Sequence, residues 1–156
     1  MSLPLALDIA IKLKASLATE VARSQESRAV LKTLDTPALL AQASLREAFN
    51  QHSAWLTAEL ARHLGAFAQA RGLSDVTLEQ LRKLEPFEGE QLSGVFAEIR
   101  ALSQALNELD EVNQQLAEKA LTVVRAYVTH LAPRPSAYTR RGQPSAVESG
   151  THSERA

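Results

Sequence analysis

Residues 92–131 decide the fold and read LSGVFAEIRALSQALNELDEVNQQLAEKALTVVRAYVTHL. Apolar residues recur there in steps of three and four, which places them on one face of a long helix. That face comprises Leu92, Val95, Ile99, Leu102, Leu106, Leu109, Asn113, Leu116, Ala120, Val123, Tyr127 and Leu131. Asn113 is the polar member of the face, and Asp110 precedes it by one turn. The pattern predicts a helix about 60 Å long over residues 90–131, at about 1.5 Å per residue.

The composition of the whole chain points to a single all-α domain in the cytoplasm. Its 156 residues carry 17 Lys and Arg against 18 Asp and Glu, so no basic field attracts nucleic acid or anionic lipid. With no cysteine, the chain has neither disulfides nor thiolate metal sites, as expected in a reducing cytosol. Asp8, Lys12 and Lys14 interrupt the leucine-rich N-terminus, which argues against a secretion signal. No uncharged stretch approaches the roughly 18 residues of a membrane span.

Breaks in the apolar pattern divide the chain into four predicted helices, at about residues 4–34, 37–71, 75–84 and 90–131. Asp35 or Thr36 can cap the second helix, where Pro37 fits the first turn. Gly72 is a natural stop for that helix, and Ser74 is the predicted cap of the short third one. Residues 85–89, EPFEG, are expected to break the third helix from the fourth.

These helices predict an elongated antiparallel bundle of three long helices plus a short one, over residues 1–131, in which the apolar face that runs from Leu92 to Leu131 points inward. The apolar pattern of the first helix lapses at residues 24–28, SQESR, which predicts partial exposure or polar packing there. Residues 132–156 are rich in Pro, Ser, Gly and Arg, so we expect a disordered tail in which Tyr138 stands among polar residues.

The sequence offers few residues for catalysis or metal binding. His52, Glu59 and His63 share a helical face, but the paired Glu-x-x-His steps of di-iron bundles are missing, so a polar helix edge is the favoured interpretation. The His63-Leu64-Gly65 run is a poor match to the His-x-Leu-Lys-Gly of phosphotransfer bundles. No Gly-rich phosphate loop or nucleophile elbow is found. We therefore expect no enzymatic activity, no metal and no cofactor.

Two features of the last helix suggest protein binding. Asn113 either fixes the register of the bundle, as a buried Asn does in coiled coils, or donates a hydrogen bond to a bound helix. A second apolar strip also follows the helix, and a helix that is apolar on two faces needs two partners. This strip comprises Ala117, Leu121, Val124, Val128 and Leu131. It is covered either by more of the same bundle or by the helix of a client protein.

Together these residues resemble the FlgN family of flagellar type III export chaperones, whose members tend to carry Leu-x-x-Leu-Asn-x-x-Asn followed by a Tyr-x-x-x-Gly loop. The matching segments are LNELDEVN at residues 106–113 and YTRRGQ at residues 138–143. Asp110 replaces the first asparagine of the family's pattern. Thr139 stands where the family often has Asp or Gly.

The resemblance implies a cytoplasmic chaperone that binds the C-terminal helical region of hook-filament junction (hook-associated) proteins. Such a chaperone docks its client at the cytoplasmic domain of the membrane export gate, with no nucleotide, metal or nucleic acid involved and no membrane insertion. The implied client-binding residues are Asn113, Leu116, Leu121, Val124, Val128 and Leu131, and Tyr138 is the implied contact with the gate. The alternative is a coiled-coil adaptor or regulatory bundle with no flagellar link.

Overall fold

The computed structural model describes residues 3–131, which form four α-helices and no strand. They are α1 (Leu3–Thr33), α2 (Thr36–Ala70), α3 (Leu78–Leu84) and α4 (Pro86–Leu131). The chain divides into two units, Met1–Ala120 and Leu121–Ala156. The predicted all-α class, with three long helices and a short one, is confirmed. The tail predicted over residues 132–156 lies outside the described residues, and the division of the chain at residue 131 stays a prediction.

The junction between α1 and α2 follows the capping residues of the sequence. The Asp35 side chain accepts a hydrogen bond from the backbone N–H of Ala38 at 3.1 Å, and Pro37 occupies the first turn of α2. Proline has no backbone N–H to donate. This costs no hydrogen bond in the first turn, because N–H groups there have no acceptor within the helix. Leu34, between the two helices, has a φ of 54°, an uncommon conformation for a side chain of its size.

Gly72 ends α2, as predicted. Its φ of 69° lies in the left-handed region that glycine adopts without steric cost. Its N–H donates to the carbonyl of Gln69 at 3.0 Å, and the N–H of Leu73 donates to that of Ala68 at 3.0 Å. This pair of bonds is the Schellman motif, which satisfies carbonyls that the helix itself leaves free.

The cap of α3 differs from the prediction, because Thr77 and not Ser74 holds that position. The N–H of Gln80 donates to the Thr77 hydroxyl at 3.2 Å, and the N–H of Thr77 donates to the Gln80 side chain at 2.9 Å. This reciprocal capping box satisfies two donors at once, whereas Ser74 has no glutamate or glutamine three residues later.

The predicted break between α3 and α4 shrinks to Glu85, since α4 begins at Pro86 and includes Gly89. Pro86 fits a first helical turn, so this proline begins a helix where the sequence suggested a break. Gly89 is buried, and a Cβ on it would lie 2.6 Å from the backbone nitrogen of Arg82 and 2.7 Å from the carbonyl carbon of Leu81. The glycine therefore permits α4 to pack directly against the backbone of α3.

The core of the first unit consists of two apolar clusters. The first joins the beginning of α1, the end of α2, α3 and the beginning of α4, with buried Leu3, Ala6, Ala10, Leu60, Phe67, Leu81 and Leu92. The second joins the middle of α1 and α2 to α4, with buried Leu13, Leu17, Leu56 and Leu106. Residues of rising number in α1 thus meet residues of falling number in α2 and of rising number in α4. Helix α2 is antiparallel to α1 and to the part of α4 in the first unit, and these two helices run parallel to each other and are in direct contact.

Candidate functional site

Beyond the two apolar clusters, a layer of polar residues joins the three long helices of the first unit. Glu20 and Ser24 of α1 are only 3% and 5% exposed. The Glu20 carboxylate accepts hydrogen bonds from Arg23 at 2.5 Å and from Arg46 of α2 at 3.4 Å. Arg46 also donates two hydrogen bonds to Asp110 of α4, at 2.5 and 3.1 Å. We call these residues, together with Asn113, the polar layer.

Asn113 binds α4 to α1 within the polar layer. Its Nδ2 donates to the backbone carbonyl of Ser24 at 2.9 Å and contacts the Ser24 hydroxyl at 3.4 Å. That hydroxyl in turn donates to Asp110 at 3.3 Å. The amide oxygen of Asn113 is buried and has no hydrogen-bond partner among residues 3–131. Hydrogen bonds of fixed direction hold one register between helices, whereas leucines tolerate a shift, and the bond from Asn113 to Ser24 is the kind of contact that the register-fixing interpretation predicts.

Sequence reasoning missed Glu20 and Arg46, which contribute the charges of the polar layer. The interruption of the apolar pattern at residues 24–28 was one sign in the sequence of polar packing in α1. Ser24 is packed in this way, since it is buried and hydrogen-bonded to α4. Glu20 precedes that interruption, and its spacing of three and four from Leu17 and Ser24 was the sign that a carboxylate lies on the buried face. Arg46 follows Leu45 in α2 and gave no comparable sign.

The second unit contributes the last eleven residues of α4, and every one of them is exposed. Six large apolar side chains there have exposed fractions of 41–73%: Leu121, Val123, Val124, Tyr127, Val128 and Leu131. We call residues 121–131 the exposed end of α4. The sequence predicted that Val123 and Tyr127 lie on the inward-pointing apolar face of the last helix. This part of the prediction is wrong, because both side chains are exposed. Periodicity identifies an apolar face but does not say how far a partner helix extends along it.

The other proposed client-binding residues belong to the first unit. Asn113 lies in the polar layer, and Leu116 lies three residues later in α4, where it is partly buried. A cleft of about 350 Å³ opens beside Asn113 and is lined by Leu31 of α1 and by Leu39 and Ala43 of α2. Tyr138, the proposed contact with an export gate, lies outside the described residues.

The histidine and glutamate residues on α2 form local contacts. His52 stacks on Trp55 with ring centroids 6.1 Å apart. Glu59 accepts hydrogen bonds from Arg62 at 2.6 and 3.1 Å, and these bonds hold the pKa of the Glu59 carboxyl below its usual value. His63 approaches the same carboxylate at 3.8 Å. Among residues 3–131, no group of three or more His, Asp or Glu is arranged to hold a metal ion.

The fold and the exposed end of α4 define a class of protein. It is a small helical bundle whose last helix carries an apolar surface that the described residues leave uncovered, as in proteins that bind helical segments of a partner. The FlgN protein family model matches residues 11–146, and the chain therefore belongs to the FlgN family of flagellar export chaperones. No curated protein and no solved structure shows significant similarity to the chain. Within the described residues, no helix has the length and apolarity required to cross a bilayer.

Proposed function

We propose that this protein is a cytoplasmic chaperone that binds the C-terminal helical region of hook-filament junction proteins through the exposed end of α4. The observation that carries the proposal is the exposure of six large apolar side chains within eleven consecutive residues. An apolar surface of this kind, left free on a helix, is typical of a partner-binding site.

The energetics favour a partner on this surface. Full burial of a valine or leucine side chain contributes about 1.5–3 kcal/mol, and the four residues Leu121, Val124, Val128 and Leu131 are 41–73% exposed. The free energy of burying these side chains is available for binding a client helix, because they remain exposed in the folded chain. A client that covers this surface is in turn kept from burying its own apolar face against further copies of itself.

Asn113 and Leu116 are the remaining client-binding candidates. The amide oxygen of Asn113 is buried and has no partner among residues 3–131, so a client N–H can bind it once the side chains that cover it move, while the bond from the Asn113 amide nitrogen to Ser24 stays intact. We propose that Asn113 accepts this hydrogen bond beside the cleft lined by Leu31 and Leu39. Leu116 is partly buried, so it offers a client less apolar surface than the leucines of the exposed end do.

The test compares charge substitutions on the two sides of the exposed end. Val124→Asp and Val128→Asp introduce a carboxylate that a client must desolvate, and we expect each to weaken binding of the client's C-terminal region at least tenfold, or about 1.4 kcal/mol. Ala126→Asp, on the polar side of the same turns, is the matched control and should retain affinity. Melting temperatures should stay close to that of the unmodified chain. If the valine variants melt early, or if all three bind the client equally well, the client site lies elsewhere.

We further propose that Tyr138 docks the loaded chaperone on the cytoplasmic domain of the export gate. The support is the match of residues 138–143 to the family's tyrosine loop, which the FlgN match over residues 11–146 includes. An aromatic anchor can carry about 2 kcal/mol or more of an interface. Tyr138→Ala should therefore reduce capture by the gate domain while client affinity and melting temperature stay unchanged, and Tyr138→Phe should retain most of the capture. Full capture with the alanine variant would remove Tyr138 from the site.

A further inference from the structure

We propose that the exposed end of α4 binds two helices of its client at the same time, one on each side of a broad apolar face. The inference rests on the proposed function and specifies the partner: a segment that presents two amphipathic helices. It also assigns a binding role to Val123 and Tyr127, which the interpretation of the sequence had placed in the protein's own core.

The apolar face of the exposed end is too wide for one helix. At about 100° per residue, Val123 and Leu121 mark edges about 160° apart, and the whole arc between them is apolar. In order around the helix, the arc contains Val123, Tyr127, Leu131, Val124, Val128 and Leu121. A two-stranded coiled coil uses the narrower seam of its a and d positions, whereas a helix that packs into a bundle needs a broader stripe.

Two complete seams share this arc. One runs through Leu121, Val124, Val128 and Leu131 in steps of three, four and three. The other runs through Val123, Tyr127 and Leu131 in steps of four. Each seam has the spacing that a single partner helix requires, and Leu131 belongs to both. Two helices that followed these seams would meet over the middle of the arc.

The first unit shows how two helices cover this face of α4. Leu106 clusters with Leu13 and Leu17 of α1 and with Leu56 of α2, so it is buried between two helices. One turn further, Asp110 contacts Ser24 of α1 and Arg46 of α2. By helical position, Leu106 and Asp110 lie in the angular range that Val124 and Val128 occupy later in α4. A client that supplies two helices would cover the later turns in the same way as α1 and α2 cover the earlier ones.

The charges on the exposed end favour a client over a second copy of this chain. Residues 121–131 contain Arg125 and no acidic residue. Arg125 borders the Leu121 edge of the arc, and His130 borders the Val123 edge. If two copies paired antiparallel through this segment, the Arg125 side chains near its centre would lie on the same side and repel each other. In a parallel pair, neither Arg125 would meet an acidic residue of the other copy's segment. A client helix with an acidic residue beside its apolar face would instead pair with Arg125.

The experiment measures binding by titration calorimetry, with the C-terminal region of each hook-filament junction protein from the same bacterium as the probe. Each region is tested as one continuous segment and as separate single-helix peptides. Val128→Asp and Tyr127→Asp disrupt one seam each, and Ala126→Asp is the control. We expect both seam variants to weaken binding of the continuous segment at least tenfold, and each single-helix peptide to respond to only one of them. Light scattering should show one chaperone per client segment.

Three results would overturn the inference. If Tyr127→Asp leaves affinity for the continuous segment unchanged while Val128→Asp lowers it, one helix suffices and the proposed function stands. A complex of two chaperones with one client segment would mean that a second copy covers the other seam. If no client region binds the unmodified chain, the proposed function itself fails. Circular dichroism melting of each variant confirms that it is folded, as expected from the 64% and 60% exposure of Tyr127 and Val128.

Discussion

Arg46 in the polar layer offers a direct test of what holds α4 to the other helices. Replacing it with methionine, Arg46→Met, keeps much of the apolar stem but removes the two hydrogen bonds to Asp110 and the contact with Glu20. Glu20, at 3% exposure, is then left with Arg23 as its one cationic partner among the described residues. A buried carboxylate that loses a partner destabilises the folded state, because its desolvation is no longer offset.

The expected loss lies below that of a fully buried ion pair. Breaking such a pair costs about 3–5 kcal/mol, but the side chains of Arg46 and Asp110 are 33% and 39% exposed, so solvent screens part of the interaction. We expect Arg46→Met to lower the free energy of unfolding by about 2 kcal/mol. In a chain of this size that corresponds to a fall of about 4–8 °C in melting temperature.

Arg62→Met is the matched control for this experiment. Arg62 also lies on α2 and also donates two hydrogen bonds to one carboxylate, but its partner Glu59 is three residues away on the same helix. Chemical denaturation should therefore leave this variant close to the unmodified chain, because a local ion pair does not connect two helices. Equal denaturation midpoints for the Arg46 and Arg62 variants would show that the polar layer does not hold α4 in place.

Two further predictions use the same kind of comparison. Gly89→Ala should destabilise the chain by about 1–3 kcal/mol, because the new Cβ would lie 2.6 Å from a backbone nitrogen of α3. Gly94→Ala, in the same helix with nothing within 4 Å of the new Cβ, should stabilise by about 0.5–1 kcal/mol, and equal effects of the two substitutions in denaturation would contradict the packing argument. In Arg62→Met, the pKa of Glu59 should rise toward its ordinary value, as measured by NMR titration. Since the folded-state pKa of Glu59 is lowered, its charge favours folding above the ordinary pKa, and this contribution is lost as the pH falls through the lowered pKa.

Local chemistry in the sequence was enough to place most helix boundaries. Asp35 and Pro37 begin α2 and Gly72 ends it, because caps and left-handed turns depend on a few adjacent residues. The cap of α3 is the exception. Ser74 is a good cap by itself, but Thr77 has Gln80 at the right distance to return the hydrogen bond.

The errors in the site come from contacts between distant parts of the chain. Val123 and Tyr127 share the periodicity of Leu106, and nothing in the helix itself distinguishes a covered turn from an exposed one. Glu20 and Arg46 lie 26 residues apart, and Asp110 lies a further 64 from Arg46. Such pairs form only after the helices pack, so a single sequence does not reveal them.

The exposure of residues 121–131 has a consequence for how this chain evolves. A substitution in the core, at Leu56 or Leu92, is judged first by the stability of the protein and is tolerated only if the volume is kept. At Val124 and Val128, which are 41% and 60% exposed, little internal packing is at stake, so under the proposed client site selection there acts mainly through the client. Chaperone and client can therefore change together at this surface, one residue at a time, while the bundle that presents it stays the same.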